Sequence, residues 1–290
     1  MRAPWDDPEL TGRGRLPMST LRHLDQEVGV DRLPLDGTWA FELFGTPHEA
    51  LAAPADAVPR AELTVPGAWT LQQFDDVHRI GDLPHYTNVQ MPWPDLPPHP
   101  PERNPTGVHQ RTVDLPEDWA GRRVVLHVGA AESVLIASVN GTEVGIGKDS
   151  HLASEFDVTA ALRPGTNTVR LVVVKWSDAT FIEDQDQWWH GGITRPVFLY
   201  ATAPVHLADV RIQADVTGRL SVVVEVAGPA GAVPQGWSVS AVVEAEVLDG
   251  ARLSASVPGS APVDSGPIED GQATAPLPID LAAAMRSVYL

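Results

Sequence analysis

The sequence predicts an all-β chain of two sandwiches, an antiparallel sandwich or jelly roll over residues 35–203 followed by a smaller immunoglobulin-like β-sandwich over residues 204–290. Three observations predict it. Short apolar or alternating runs recur at intervals of about ten residues, few stretches carry a helical period, and Gly, Pro and Asn punctuate the bends.

Residues 1–34 are rich in Arg, Asp, Gly and Pro without sustained periodicity, and read as an arm lying over the first domain. Thr38-Trp39-Ala40-Phe41-Glu42-Leu43-Phe44 then alternates apolar and polar positions, as a half-buried strand does, and Gly45-Thr46-Pro47 ends it. Arg122-Arg123-Val124-Val125-Leu126-His127-Val128 and Val134-Leu135-Ile136-Ala137-Ser138-Val139 follow as strands. Asn140-Gly141 suits the positive φ angles of a two-residue hairpin, so Thr142-Glu143-Val144-Gly145 should return beside the strand before it. Phe156-Asp157-Val158 leads through the turn Leu162-Arg163-Pro164-Gly165-Thr166-Asn167 to the buried strand Thr168-Val169-Arg170-Leu171-Val172-Val173-Val174.

A boundary is expected near Tyr200-Ala201-Thr202-Ala203-Pro204. Beyond it Trp, His and Arg thin out, and Val, Ala, Ser and Gly dominate runs such as Leu220-Ser221-Val222-Val223-Val224-Glu225-Val226 and Val239-Ser240-Ala241-Val242-Val243-Glu244-Ala245-Glu246-Val247, with immunoglobulin-like spacing. The last residues, Ala282-Ala283-Ala284-Met285-Arg286-Ser287-Val288-Tyr289-Leu290, carry no closing strand pattern, so the second sandwich is expected to be cut short.

Bulk properties narrow the function. With 38 acidic against 20 basic side chains and a formal charge of -18, the chain repels polyanions, which argues against nucleic acid as a partner. Cysteine is absent, which excludes disulfides and thiolate metal sites and fits a reducing compartment. The start has no apolar core behind a basic patch, so a cytoplasmic location is expected. No apolar run approaches the roughly 20 residues a membrane helix needs, and no membrane partner is expected.

The densest chemistry lies in Glu183-Asp184-Gln185-Asp186-Gln187-Trp188-Trp189-His190-Gly191-Gly192-Ile193-Thr194-Arg195. Carboxylates accept hydrogen bonds from sugar hydroxyls, and an indole face covers the apolar C–H face of a pyranose. Asp184 and Asp186 admit three readings: an acid and base pair, a grip on hydroxyls or a cation if the chain is extended and both project to one side, or bonds to loop amides. Trp188 and Trp189 are adjacent and face opposite ways in an extended chain, so at most one of them walls a ligand. His190 has no second His or Cys at metal-ligand spacing and reads as packed or hydrogen-bonded. Residues Pro84 to Pro105 contain eight prolines, a stiff loop in which Asn88 can be held ready to grip a hydroxyl. Nucleophile elbows, phosphate-cradling loops, zinc helices and dinucleotide fingerprints have no match.

Tyr86-Thr87-Asn88-Val89-Gln90-Met91-Pro92-Trp93, Asn104-Pro105-Thr106-Gly107, Leu115-Pro116-Glu117-Asp118-Trp119, Val139-Asn140-Gly141, Phe156-Asp157-Val158, Trp176-Ser177-Asp178 and the acidic–aromatic stretch occur in series. In order and spacing they closely resemble the amino-terminal part of family 2 glycoside hydrolases of the β-galactosidase type. The resemblance implies a galactose-binding-like jelly roll and an immunoglobulin-like domain, followed in the full enzyme by a TIM barrel whose two glutamates cleave β-galactosides with retention. No catalytic residue is therefore assigned to this chain, and without the barrel it is expected to be inactive. The resemblance places Asn88 at the mouth of the active site with Val89 beside it. It gives Asp186 a share in a sodium ion and in the outermost galactose hydroxyl, while the magnesium ligands belong to the barrel. Familiar members carry Met-Trp-Arg where this chain has Gln187-Trp188-Trp189, which leaves open the leaving group and whether Trp189 or His190 contacts it. The implied partners are a galactoside, the chain's own catalytic barrel and further copies in a homo-oligomer. A stand-alone carbohydrate-binding module and an assembly scaffold are the alternatives.

Overall fold

A computed structural model describes residues 2–18, 31–54, 57–72, 81–88, 91–214, 220–228, 238–242, 252–256, 263–267 and 272–276. They fall into two compact units that divide between Ala201 and Thr202. In chain order the first strands are β1 (Gly12–Arg13), β2 (Asp31–Pro34), β3 (Gly37–Phe44), β4 (Ala61–Val65) and β5 (Gly67–Ala68). Then come β6 (His85–Thr87), β7 (Thr106–Asp114), β8 (Arg123–Val128), β9 (Val134–Val139) and β10 (Thr142–Lys148). β11 (Ser154–Asp157), β12 (Thr166–Val174), β13 (Gln187–Trp189), β14 (Gly192–Ile193) and β15 (Val197–Thr202) complete the series.

A seven-stranded sheet ordered β1-β10-β9-β12-β7-β3-β4 packs on a four-stranded sheet ordered β11-β8-β15-β2, making the two layers of a jelly roll. The alternation along β3 decides which side chains enter the core. Trp39, Phe41 and Leu43 are buried there, against Leu126 and Val128 of β8, Phe156 of β11 and Leu199 of β15. Each such side chain stabilises the fold by roughly 1.5–3 kcal/mol through the apolar surface it removes from water. The indole N–H of Trp39 donates to the Leu35 carbonyl at 2.7 Å, so burial strands no donor. Asn140 and Gly141 take φ of 51° and 81°, and Thr142 pairs with Val139 across this tight hairpin.

The outer face of the large sheet is covered as well. Trp5 of the leading segment and Ala50 of helix α1 (Pro47–Ala52) pack with Val108, Ile136 and Val172. Helix α1 starts at a capping box, in which the Glu49 amide donates to Thr46 Oγ1 at 3.2 Å and the Thr46 amide to Glu49 Oε2 at 3.1 Å. Residues 2–18 thus lie over the first unit, and β1 pairs with β10. Asp31–Pro34, expected as arm, instead form a sheet strand, because their backbone pairs with β15 and Leu33 packs on the core. Residues 19–30 lie outside the described residues.

The second unit is an immunoglobulin-like sandwich. Its strands are β16 (His206–Ala214), β17 (Leu220–Ala227), β18 (Ser238–Val242), β19 (Arg252–Ser256), β20 (Val263–Pro267) and β21 (Gln272–Pro276). One sheet runs β16-β17-β19-β20 and the other pairs β18 with β21. Val222, Val224 and Val226 alternate into its interior, as their period-two spacing requires. The segments 243–250 and 282–290, on which two expectations fell, lie outside the described residues. Among the described residues, no helix is long and apolar enough to cross a membrane.

Candidate functional site

Two short ribbons, separate from the main sheets, carry the residues singled out in the sequence. β6 pairs antiparallel with β13, with Gln187 opposite Thr87, Trp188 opposite Tyr86 and Trp189 opposite His85. β5 pairs with β14. Successive side chains on a strand point to opposite faces, so the β6–β13 ribbon has an outer face and an inner face. Tyr86 and Trp188 share the outer face, 50% and 60% exposed, with ring centroids 5.5 Å apart. Thr87 and Trp189 share the inner face and are buried.

On the outer face the Tyr86 hydroxyl donates to Asp186 Oδ1, and its oxygen accepts from Asn88 Nδ2 at 3.4 Å. Asn88 and Asp186 are therefore brought together through one phenol, both exposed. The hydrogen bond to Asp186 raises the Tyr86 pKa, and the Asn88 amide opposes that shift. The rim thus presents a carboxylate, an amide and a hydroxyl beside two exposed aromatic rings. That combination suits a ligand with hydroxyls on one edge and a C–H face on another.

Asp184 does not join them. Its backbone, at φ -61° and ψ 129°, ends helix α2 (Thr180–Glu183), and the Gln187 amide donates back to the Gln185 carbonyl at 2.7 Å. The chain turns at Asp186 rather than running extended, so the expected same-side projection of the two aspartates fails. Asp184 points inward, where Oδ1 accepts from the Thr87 hydroxyl and from Trp189 Nε1 at 3.2 Å.

The structure also settles which indole is open to a ligand. Trp189 is fully buried; its N–H donates to Thr87 Oγ1 at 2.7 Å and its ring packs edge-on to Trp176, 5.6 Å between centroids. A contact from Trp189 to a ligand is excluded by that packing, and Trp188 takes the exposed position. His190 is half-buried, with Nδ1 3.0 Å from the Thr70 hydroxyl. Burial lowers its pKa, the Lys175 ammonium lowers it further, and Asp82 opposes both. Among the described residues no hydrogen bond ties His190 to Asn88 or Asp186. Val89 lies outside the described residues.

Beneath the ribbons is a buried polar floor that the sequence reading missed. Lys175 Nζ donates to Asp82 Oδ1 at 2.5 Å, and Trp69 Nε1 donates to Asp82 Oδ2 at 2.6 Å. Burial lowers the Lys175 pKa while Asp82 and Glu132 act to raise it. Glu132 lies nearby, and burial pushes its carboxyl up to about 8, with Lys175 pulling down and Glu183 pushing up. The signal was a single lysine directly after the apolar run of β12. The Gly191-Gly192 pair has a steric origin here: a Cβ on Gly191 would lie 1.9 Å from the Trp69 ring, and Gly192 sits at φ +139°. No cluster of three or more His, Cys, Asp or Glu able to hold a metal occurs among the described residues.

Residues 33–203, which include both ribbons, match the family described as glycosyl hydrolases family 2, sugar binding domain. The chain belongs to glycosyl hydrolase family 2. Family 2 relatives agree: the chain is 39% identical over 221 residues to the beta-galactosidase of Arthrobacter sp. (strain B7), covering 70% of this chain and 21% of that protein. It is 34% identical over 300 residues to beta-galactosidase 2 of Enterobacter cloacae, covering 97% of this chain and 28% of that protein. The chain thus spans less than a third of the length of the curated family 2 relatives it matches. Among solved structures it is similar to a beta-glucuronidase of Ruminococcus gnavus, with TM-score 0.56, 15% identity and coverage of 92% of this chain and 40% of that chain. A Faecalibacterium prausnitzii beta-glucuronidase gives TM-score 0.55 and 23% identity over 86% of this chain and 41% of that chain. At these identities the likeness is one of fold.

Proposed function

We propose that this chain is the amino-terminal, non-catalytic portion of a β-galactosidase, an enzyme that hydrolyses terminal non-reducing β-D-galactose residues. In this reading its jelly roll supplies one rim of the galactose subsite to a TIM barrel carried elsewhere in a longer protein. The observation that carries the proposal is the junction of Asn88, Tyr86 and Asp186 on an exposed ribbon beside Trp188. Curated β-galactosidase relatives support the choice of sugar.

The rim binds and orients; it does not cleave. Asp186 accepts from a galactose hydroxyl, Asn88 offers an amide donor and acceptor, and the Trp188 and Tyr86 rings shield the C–H face from water. Retaining hydrolysis needs two carboxyl groups about 5–5.5 Å apart across the scissile bond. Of the two aspartates of the motif, Asp186 faces outward, while Asp184 is bonded to Thr87 and Trp189. Asp186 is also the natural oxygen donor for sodium, whose other ligands would come from further residues of the longer protein. Bound there, the ion would offset the carboxylate charge and polarise the hydroxyl beside it. No magnesium ligand is assigned to this chain.

The test has two arms. The 290-residue chain is expected to release no nitrophenol from nitrophenyl β-galactoside; turnover abolished by Asp186→Ala would overturn the proposal. In the enzyme that includes the barrel, Asp186→Ala is expected to raise KM for β-galactosides at least tenfold. The exposed Tyr86–Trp188 pair also suits a stand-alone carbohydrate-binding module. Calorimetry of the 290-residue chain with galactose and lactose separates the two, since measurable affinity in isolation favours the module.

A further inference from the structure

The ribbon that carries the rim is too small to hold itself. β6 and β13 each have three residues and pair only with one another among the described strands, and an isolated two-stranded hairpin is marginal in water. Its place must be fixed by side chains reaching down to the sandwich.

On the β13 side the anchor is Trp189 against Trp176. On the β6 side His85 packs edge-on to the same Trp176, 5.9 Å between centroids, and the chain leading into the strand is held by Lys175. This residue follows directly on β12, which is paired along its length with β7 and from Val169 to Val174 with β9, and its side chain is completely buried. Its ammonium donates to Asp82 Oδ1 at 2.5 Å and to the Leu83 carbonyl at 3.2 Å, and lies 4.9 Å from the centre of the Trp176 ring. The second oxygen of Asp82 is held by Trp69 Nε1. The clamp therefore grips the chain just before His85, where β6 begins.

We infer that Lys175 is a positioning residue for the rim, its buried ammonium fixing Asp82 and Leu83 so that Tyr86 and Asn88 meet Asp186. A buried ion pair is a poor way to gain stability, because desolvating both charges offsets most of their attraction and apolar replacements are often neutral. What the pair does confer is a directed, single-register contact that an apolar pair of the same volume lacks. The clamp itself is independent of any ligand; calling the part it positions a sugar rim rests on the function proposed above.

The test separates stability from position by amide hydrogen exchange on the 290-residue chain. Lys175→Met alone leaves Asp82 buried without its cation, so the deciding variant is D82N/K175M, which removes both charges and leaves an amide oxygen to accept from Trp69. The expected result is exchange at least tenfold faster in residues 83–88 and 187–189, with β7 and β12 unchanged. Unchanged exchange in those segments, or uniform acceleration across all strands, would overturn the role of Lys175. Asp186→Ala leaves the clamp intact and tests the sugar reading separately. A normal galactoside KM in that variant of the barrel-containing enzyme, together with a loosened β6–β13 ribbon in D82N/K175M, sinks the sugar reading and keeps the positioning role.

Discussion

Tyr86 uses one oxygen twice, giving its proton to Asp186 and accepting from Asn88. Tyr86→Phe removes both bonds and keeps the ring beside Trp188. The expected outcome is a raised galactoside KM in the barrel-containing enzyme, with the melting temperature little changed because the site is exposed. Two buried groups make sharper predictions. His109 is fully buried between Phe41 and Trp69, and burial lowers its pKa from 6.5 to about 4 against the opposing pull of the Leu171 and Gly107 backbone. The unfolded chain takes up the proton first as pH falls, so stability is complete above 6.5 and declines toward 4. His109→Leu should therefore recover about 2 kcal/mol at pH 5 relative to its effect at pH 8, read from denaturant midpoints. Asn88 and Asp186 could be named as candidates from the sequence because their motifs are local. The part played by Tyr86 was not, since its acceptor lies 100 positions away and only strand pairing brings it close. The alternation of Trp188 and Trp189 told that they would diverge but not which would go inward; the partner strand decides that.

At the level of elements, turns marked by glycine were the most readable. Asn140-Gly141 occupies the tight hairpin its positive φ angles allow. The pair Gly191-Gly192 was visible as a motif, yet its cause was not, because the Trp69 ring that presses on it comes from a distant segment. Gly191→Ala forces a methyl into that ring, and the β5–β14 ribbon must shift. A loss of about 3 kcal/mol is expected from overpacking, measured by urea denaturation, with His190 displaced from Thr70. The turn at Asp186 was the element least accessible to pattern reading. Strand alternation predicts that positions 184 and 186 share a side, and a single backbone bond between Gln187 and Gln185 reverses the outcome.

At the scale of the whole molecule, the two desolvated groups set opposite slopes of stability with pH. Glu132 has its pKa raised from 4.5 to about 8, so the folded state holds a proton that the unfolded state has released. Its contribution is complete below 4.5 and is lost as pH rises to 8. Between 4.5 and 6.5 the Glu132 and His109 slopes, each about 1.4 kcal/mol per pH unit, oppose one another, and the lowered pKa values of His85 and His190 act on the His109 side. Above 6.5 His109 no longer opposes the Glu132 slope. Glu132→Gln should accordingly gain roughly 3 kcal/mol at pH 7 and almost nothing at pH 4.5, followed by scanning calorimetry. The all-β class and the two-sandwich plan were readable because period-two burial and turn residues recur along the chain. The buried floor was not, because Asp82, Glu132 and Lys175 are scattered in sequence and gather only in three dimensions. Two residues of the leading segment, Gly12 and Arg13, hydrogen-bond along the outer flank of β10, and Arg13 reaches Glu143 beside it. They act as a lid on that flank, denying it to a neighbouring molecule. Proteolytic trimming through Met18 would uncover it, and a preparation that sediments as a single species should then form concentration-dependent higher-order complexes.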